Sequence, residues 1–251
     1  MFKDIEYITK IGISKIEMAQ KDVFKFFMRS FMAGIYLAMA AILSFSLGAL
    51  FQSNVALSKT LVAASFGIGL AMIVFLGAEL FTGNCFTTMI PVYTKQKKLT
   101  DLLPAWIICY VGNFIGSAIV CILFIASGSL KEVMTTYLTN SIQAKLTFDV
   151  MQLLCKAILC NLVVCVGAYA GMKVQDNITK FMLIIIIVMI FVLPGFEHCI
   201  ANMSTYTMGM CLLQSSIDWS LLPLHMLIST IGNILGGSVF LGLPIYLTFK
   251  D

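Results

Sequence analysis

Charge is what this chain has least of. Only 11% of its 251 residues are Asp, Glu, Lys or Arg, against 60% hydrophobic residues, and the mean hydropathy is +0.98. That composition excludes an ordinary soluble domain and leaves no room for a separate one. Histidine is scarcer still, with two residues, His198 and His225. None of the eight cysteines (Cys85, Cys109, Cys121, Cys155, Cys160, Cys165, Cys199, Cys211) forms a Cys-x-x-Cys pair or a metal-ligand spacing. They read as small, polarizable packing residues. Without a Cys-x-x-Cys-His, and with so few histidines, a haem or quinone oxidoreductase is disfavoured. No cofactor, metal or nucleic-acid partner is expected. The first 29 residues are too charged for a signal peptide.

What the chain does have is long uncharged runs. Residues 1–29 hold six of the sixteen Lys/Arg, with Ile5, Ile8, Gly12, Ile16, Ala19, Val23 and Phe27 at helical spacing. They predict an amphipathic helix lying on the cytoplasmic membrane surface. Six spans are predicted after it, in a channel domain over 30–251: Ser30–Phe51, Thr60–Pro91 with a break, Leu102–Ser127, Val150–Met172, Phe181–Leu213 with a break, and Leu221–Phe249. The segment between spans three and four reads as an outer loop.

The breaks carry the functional signal. Phe181 to Phe196 is uncharged, as is Cys199 to Ile217, yet between them stand Glu197 and His198, just after Pro194-Gly195. Ionisable residues at membrane depth mark function by default. Non-helical backbone there survives only where it is buried in protein or lines a watery cavity. Gly77-Ala78-Glu79-Leu80-Phe81-Thr82-Gly83-Asn84 repeats the device, and Glu79 to Asn84 has the spacing of Glu197 to Asn202. A Gly-Asn-x-x-Gly follows each break, at Gly112–Gly116 and Gly232–Gly236. Broken segments in matching positions of two halves point to a transport site. The halves fall at about 30–130 and 150–249. Three spans in each give them opposite topology.

Loop charge sets the orientation. With both termini cytoplasmic, the inner segments hold Lys3, Lys10, Lys15, Lys21, Lys25, Arg29, Lys95, Lys97, Lys98, Lys173, Lys180 and Lys250; the outer ones hold Lys59, Lys131 and Lys145. Lys156 lies within span four and is expected to snorkel outward.

Together these elements, with Tyr110-Val111-Gly112-Asn113, Leu159–Cys165 and the Gly195–Met203 stretch, resemble the formate/nitrite transporter family over nearly the whole chain, most closely its hydrosulfide-conducting members. The resemblance implies an aquaporin-like all-α fold, a homopentamer in a bacterial inner membrane, and a pore in each protomer for small monovalent anions. The Asn-Pro-Ala signature of water channels is absent. The rival reading is a proton-coupled carrier of a weak acid such as formate, nitrite or lactate.

By motif, the resemblance makes His198 the central pore histidine and sets Thr82 facing it, as a pore donor or a cap for a free carbonyl. Asn161 either orients His198 or bonds helix to helix. Phe66 and Phe191 match an outer constriction and Leu70 an inner one. Lys145 reads as a loop lysine that attracts anions at the outer vestibule. Gly83-Asn84 stands where some formate channels have Ser-Thr, which weakens transfer of formate preference. Glu79 and Glu197 read as loop braces accepting backbone N–H bonds, supported by Asn84 and Asn202. His225 reads as structural. A histidine between half-helix N-termini suits an anion path, and hydrophobic rings beside it would force ions to shed water.

Overall fold

The structure, a computed structural model, describes residues 2–213 and 216–249; Lys250, counted above toward the orientation, lies outside them. Helix α1 (Phe2–Lys21) presents Ile8, Ile16 and Ala19 to the protein, all essentially inaccessible. The sequence suggests an amphipathic helix running to residue 29, but the chain breaks at Asp22, whose carboxylate accepts the Lys25 N–H and caps α2 (Val23–Leu50). Beyond that break the helical phase is lost, and Val23 is 52% exposed.

Described residues form α-helices and one π-helical stretch, and five segments are long and apolar enough to cross a bilayer: α2, α3 (Val55–Leu76), α6 (Leu99–Ala126), α8 (Val150–Lys173) and the run Leu222–Thr248. That run comprises α11 (Leu222–Leu235), the π-helical Gly236–Gly242 and α12 (Leu243–Phe249). Helix α9 (Asn177–Val192) is equally apolar but has only 16 residues. Two of these rods stop inside the protein. After α3 the chain turns at Gly77–Leu80 before α4 (Phe81–Thr87) and the short α5 (Ile90–Tyr93). After α9 it turns at 193–198 before α10 (Cys199–Leu213). Both turns pivot on a glycine with positive φ, Gly77 at 69° and Gly195 at 75°, a conformation that a Cβ disfavours.

One expectation fails here. The segment between spans three and four is not a loop. It forms α7 (Lys131–Leu146), which buries Met134, Leu138, Ile142 and Leu146 along one face.

The two halves are an inverted repeat down to individual hydrogen bonds. In the first, the Asn113 amide donates to the carbonyls of Ser30 (2.7 Å) and Glu79 (2.9 Å) and accepts the Phe81 N–H (2.9 Å). In the second, Asn233 donates to Ala157 and Glu197 (both 2.8 Å) and accepts the Cys199 N–H (2.8 Å). Each asparagine, on the third span of its half, thus ties that span to the first span, to the break and to the first N–H of the half-helix. The glycines around them permit the approach. A Cβ on Gly116 would sit 2.1 Å from the Phe31 carbonyl oxygen, and one on Gly236 2.3 Å from that of Ile158. Helices α1 and α7 take equivalent places, each supplying a lysine to the glutamate of one break, so the repeat reaches further than the spans.

Candidate functional site

Each break carries a buried glutamate, and each meets a lysine from the amphipathic helix of its own half. Lys15 of α1 lies 2.7 Å from Glu79 Oε2 and donates to Asn84 Oδ1 at 2.8 Å. Lys145 of α7 donates to Glu197 Oε2 at 2.7 Å, and the same oxygen accepts the Asn202 amide at 2.9 Å. The glutamates were expected to accept backbone N–H bonds; they meet ammonium groups instead. That choice is physical, because a carboxylate this deep needs a countercharge more than a neutral donor. Lys145 is accordingly a helical ion-pair partner and not a free loop lysine.

Between the two ion pairs, Thr82 and His198 meet. Thr82 is the second residue of α4, His198 directly precedes α10, and both are buried. His198 Nδ1 accepts the Ala201 N–H at 3.1 Å. The ring therefore carries its hydrogen on Nε2, which donates to Thr82 Oγ1 at 3.1 Å. With that oxygen accepting, the Thr82 hydroxyl hydrogen is uncommitted among the described residues. The positive ends of both half-helices converge on this pair.

The walls here are apolar. Phe66 and Phe191 meet edge to face at 6.3 Å and 88°, and Phe191 stacks on the His198 ring at 6.0 Å and 26°. With Leu37, Leu70, Leu80, Val164 and Val188 they enclose a chamber of about 10 Å³ around His198, at the lower limit for one water molecule. Leu70 and Leu80 also form the floor of a vestibule of about 430 Å³ on the α1 face, which Lys15, Glu79 and Asn84 line. On the α7 face, a hollow of about 50 Å³ is bounded by Lys145, Lys156, Glu197 and His225.

Phe66, Leu70, Thr82, Phe191 and His198 therefore come together. Asn161 does not reach His198. Its amide donates to the carbonyls of Thr82 (3.1 Å) and Asn233 (2.5 Å), bonding α8 to α4 and α11. Sequence reasoning left Lys15 among the orientation charges and passed over Leu80, although Leu80 stands in the first break where His198 stands in the second. His225 is fully buried, with Nδ1 3.0 Å from the Tyr206 hydroxyl and Nε2 3.8 Å from Glu197 Oε2. The described residues contain no group of three or more His, Cys, Asp or Glu placed to hold a metal ion.

Comparison with known proteins places the chain in a family. The family profile described as formate/nitrite transporter matches residues 3–247. The nitrite transporter NirC of Escherichia coli is 33% identical over 224 residues, covering 87% of this chain and 81% of NirC. A solved chain described as an FNT family ion channel superposes with a TM-score of 0.92 at 26% identity, covering 99% of each chain. A pentameric formate channel with formate bound superposes with a TM-score of 0.80 at 25% identity, covering 92% of this chain and 99% of that one. A profile match over nearly the whole length, and a relative sharing a third of its residues, leave one conclusion: the chain belongs to the formate/nitrite transporter family, whose members are membrane transporters and channels rather than enzymes.

Proposed function

We propose that each protomer is a channel for small monovalent anions, with hydrosulfide the preferred species and formate and nitrite also carried. The observation that carries this is the Thr82–His198 pair, set between two half-helix N-termini, with the His198 ring facing a chamber walled by apolar side chains and Thr82 buried directly behind it. An anion drawn to the α1 face meets Lys15 before it reaches Leu70 and Leu80. Past them it loses its hydration shell, and the open hydroxyl hydrogen of Thr82 and the helix ends replace part of it. Phe66 and Phe191 bound the chamber on the other side.

A chamber this dry favours neutral species. Hydrosulfide, formate and nitrite are bases whose conjugate acids are small and neutral, so one that takes up a proton at the vestibule passes the leucines at lower cost. His198 is the titratable group that lines the chamber. A further proton would have to enter at Nδ1 and displace the Ala201 N–H bond. His198 therefore acts as an Nε2–H donor that keeps the Thr82 hydroxyl turned toward the permeant.

We further propose that the protein is a homopentamer in a bacterial cytoplasmic membrane, with both termini cytoplasmic. The pentameric relative supports the assembly. Exposed apolar residues on α2 and α6, including Phe24 (74%), Ile107 (61%) and Leu123 (65%), fit lipid or neighbouring subunits. The test is anion-dependent swelling of proteoliposomes containing the native chain. Fast swelling with hydrosulfide, formate and nitrite but not chloride is expected. Swelling with none of them would overturn the channel reading.

A further inference from the structure

Arg29 is a second cation at the α1-face vestibule, and the ion pair does not use it. It occupies the place in α2 that Lys156 occupies in α8: the Arg29 carbonyl accepts the Glu79 N–H (3.1 Å), and the Lys156 carbonyl accepts that of Glu197 (3.5 Å). The side chains differ in their restraint. Arg29 Nε donates to the Gly77 carbonyl at 2.9 Å, and Nη1 reaches Met18 Sδ at 3.8 Å. The guanidinium is thereby fixed, yet it has five N–H donors. Among the described residues three have no partner, including both on Nη2, and Arg29 lines the vestibule beside Lys15. Nη2 lies over the bare side of Gly77, where a Cβ would stand 3.3 Å away. The charges here are two cations, Lys15 and Arg29, against the carboxylate of Glu79, which Lys15 already neutralises. Among the described residues Arg29 is the cation without a countercharge.

We propose that Arg29 is an anion-recognition residue that raises the affinity of the α1-face mouth for planar two-oxygen monoanions, formate and nitrite, relative to single-centre anions, so that these are also carried by a channel whose preferred species is hydrosulfide. A fixed guanidinium presents parallel N–H groups that match the two oxygens of a carboxylate or nitrite, whereas a lysine offers only a point charge. The single sulfur of hydrosulfide accepts no such pair. The α7 face has Lys156 at the equivalent place, so the two mouths of one pathway discriminate differently. The inference rests on the anion-channel reading, and it gives Arg29 a role separate from attracting charge in general.

The experiment measures half-saturating concentrations for formate, nitrite and hydrosulfide in proteoliposomes with native protein, Arg29→Lys and Arg29→Gln. Arg29→Lys keeps the charge and removes the fork. It is expected to raise the formate and nitrite values by roughly fivefold to tenfold and the hydrosulfide value by less than about twofold. Arg29→Gln keeps a donor for the Gly77 carbonyl and is expected to raise all three values, those of formate and nitrite most. Equal shifts for all three anions in Arg29→Lys, or none, would overturn the proposal and leave the channel reading standing. Should the native chain pass no anion, the channel reading falls. Formate-dependent thermal stabilisation then decides: present in native protein and lost in Arg29→Lys supports recognition by Arg29, and absence from native protein overturns it.

Discussion

Replacing Asn113 with alanine removes three buried hydrogen bonds at once. Their partners, the Ser30 and Glu79 carbonyls and the Phe81 N–H, belong to three different segments. Asn113 is fully inaccessible, so water does not reach the vacated positions without opening the packing of α6 on α2. At about 1–2 kcal/mol for each stranded buried group, the cost is roughly 3–6 kcal/mol, a large share of a stability of about 5–15 kcal/mol. For a chain of this size that corresponds to a fall in melting temperature of roughly 6–24 °C. Asn233→Ala, with three partners at nearly the same distances, is expected to fall by a similar amount. Ser117→Ala serves as the control, since it loses one buried hydrogen bond, to the Gly34 carbonyl, and should cost about 1 kcal/mol. The readout is thermal unfolding of detergent-purified variants followed by tryptophan fluorescence. A drop for Asn113→Ala no larger than that of Ser117→Ala would refute the idea that these asparagines hold the breaks. So would a large drop at one asparagine and none at the other.

Further outcomes follow from the same geometry. Lys145→Met strands the buried Glu197 carboxylate and should destabilise by about 3–5 kcal/mol; the Lys145→Met/Glu197→Gln pair should recover most of that in the same unfolding assay. Thr82→Val removes the open hydroxyl at little change in shape and should lower anion flux about tenfold while leaving the melting temperature within a few degrees. Glu17, on α1, is held below its usual carboxylate range by hydrogen bonds from Lys21 and Lys97, and by the charges of both. A depressed folded pKa gives a contribution that is present above the unfolded value and lost as pH falls through the folded one. Protection factors of α1 against deuterium exchange, corrected for the intrinsic slowing of exchange in acid, should therefore fall on acidification below the ordinary carboxylate range, and Glu17→Gln should show lowered protection at neutral pH with little further fall.

Much of this was readable from the residues, because lipid punishes exceptions. Glu79, Glu197 and His198 stand out in runs without charge, and Pro194-Gly195 and Gly77 announce the breaks. The Gly-Asn-x-x-Gly elements also revealed the repeat. What they do there was not visible, since a capping asparagine and a solvent-facing one look alike in sequence; only the fold puts Phe81 N and two carbonyls around Asn113. Helix α7 was missed although Met134, Leu138, Ile142 and Leu146 repeat every four residues. Its polar composition resembles a loop until the buried face is counted. Misplacing α7 hid the pairing of Lys145 with Glu197, and with it the parallel pairing of Lys15 with Glu79. Leu37, Leu80, Val164 and Val188 escaped notice because an apolar residue lining a buried chamber has the same appearance as one facing lipid. The break at Asp22 was missed because the charged residues continue evenly across it.

The path past His198 and Thr82 is most directly tested by formate and hydrosulfide flux in vesicles containing His198→Ala, side by side with native protein at equal protein density. A change in both rate and anion selectivity is predicted, since the substitution removes the donor to Thr82 and the aromatic face against Phe191. Native rates and native selectivity in a folded His198→Ala variant would show that the anion crosses elsewhere.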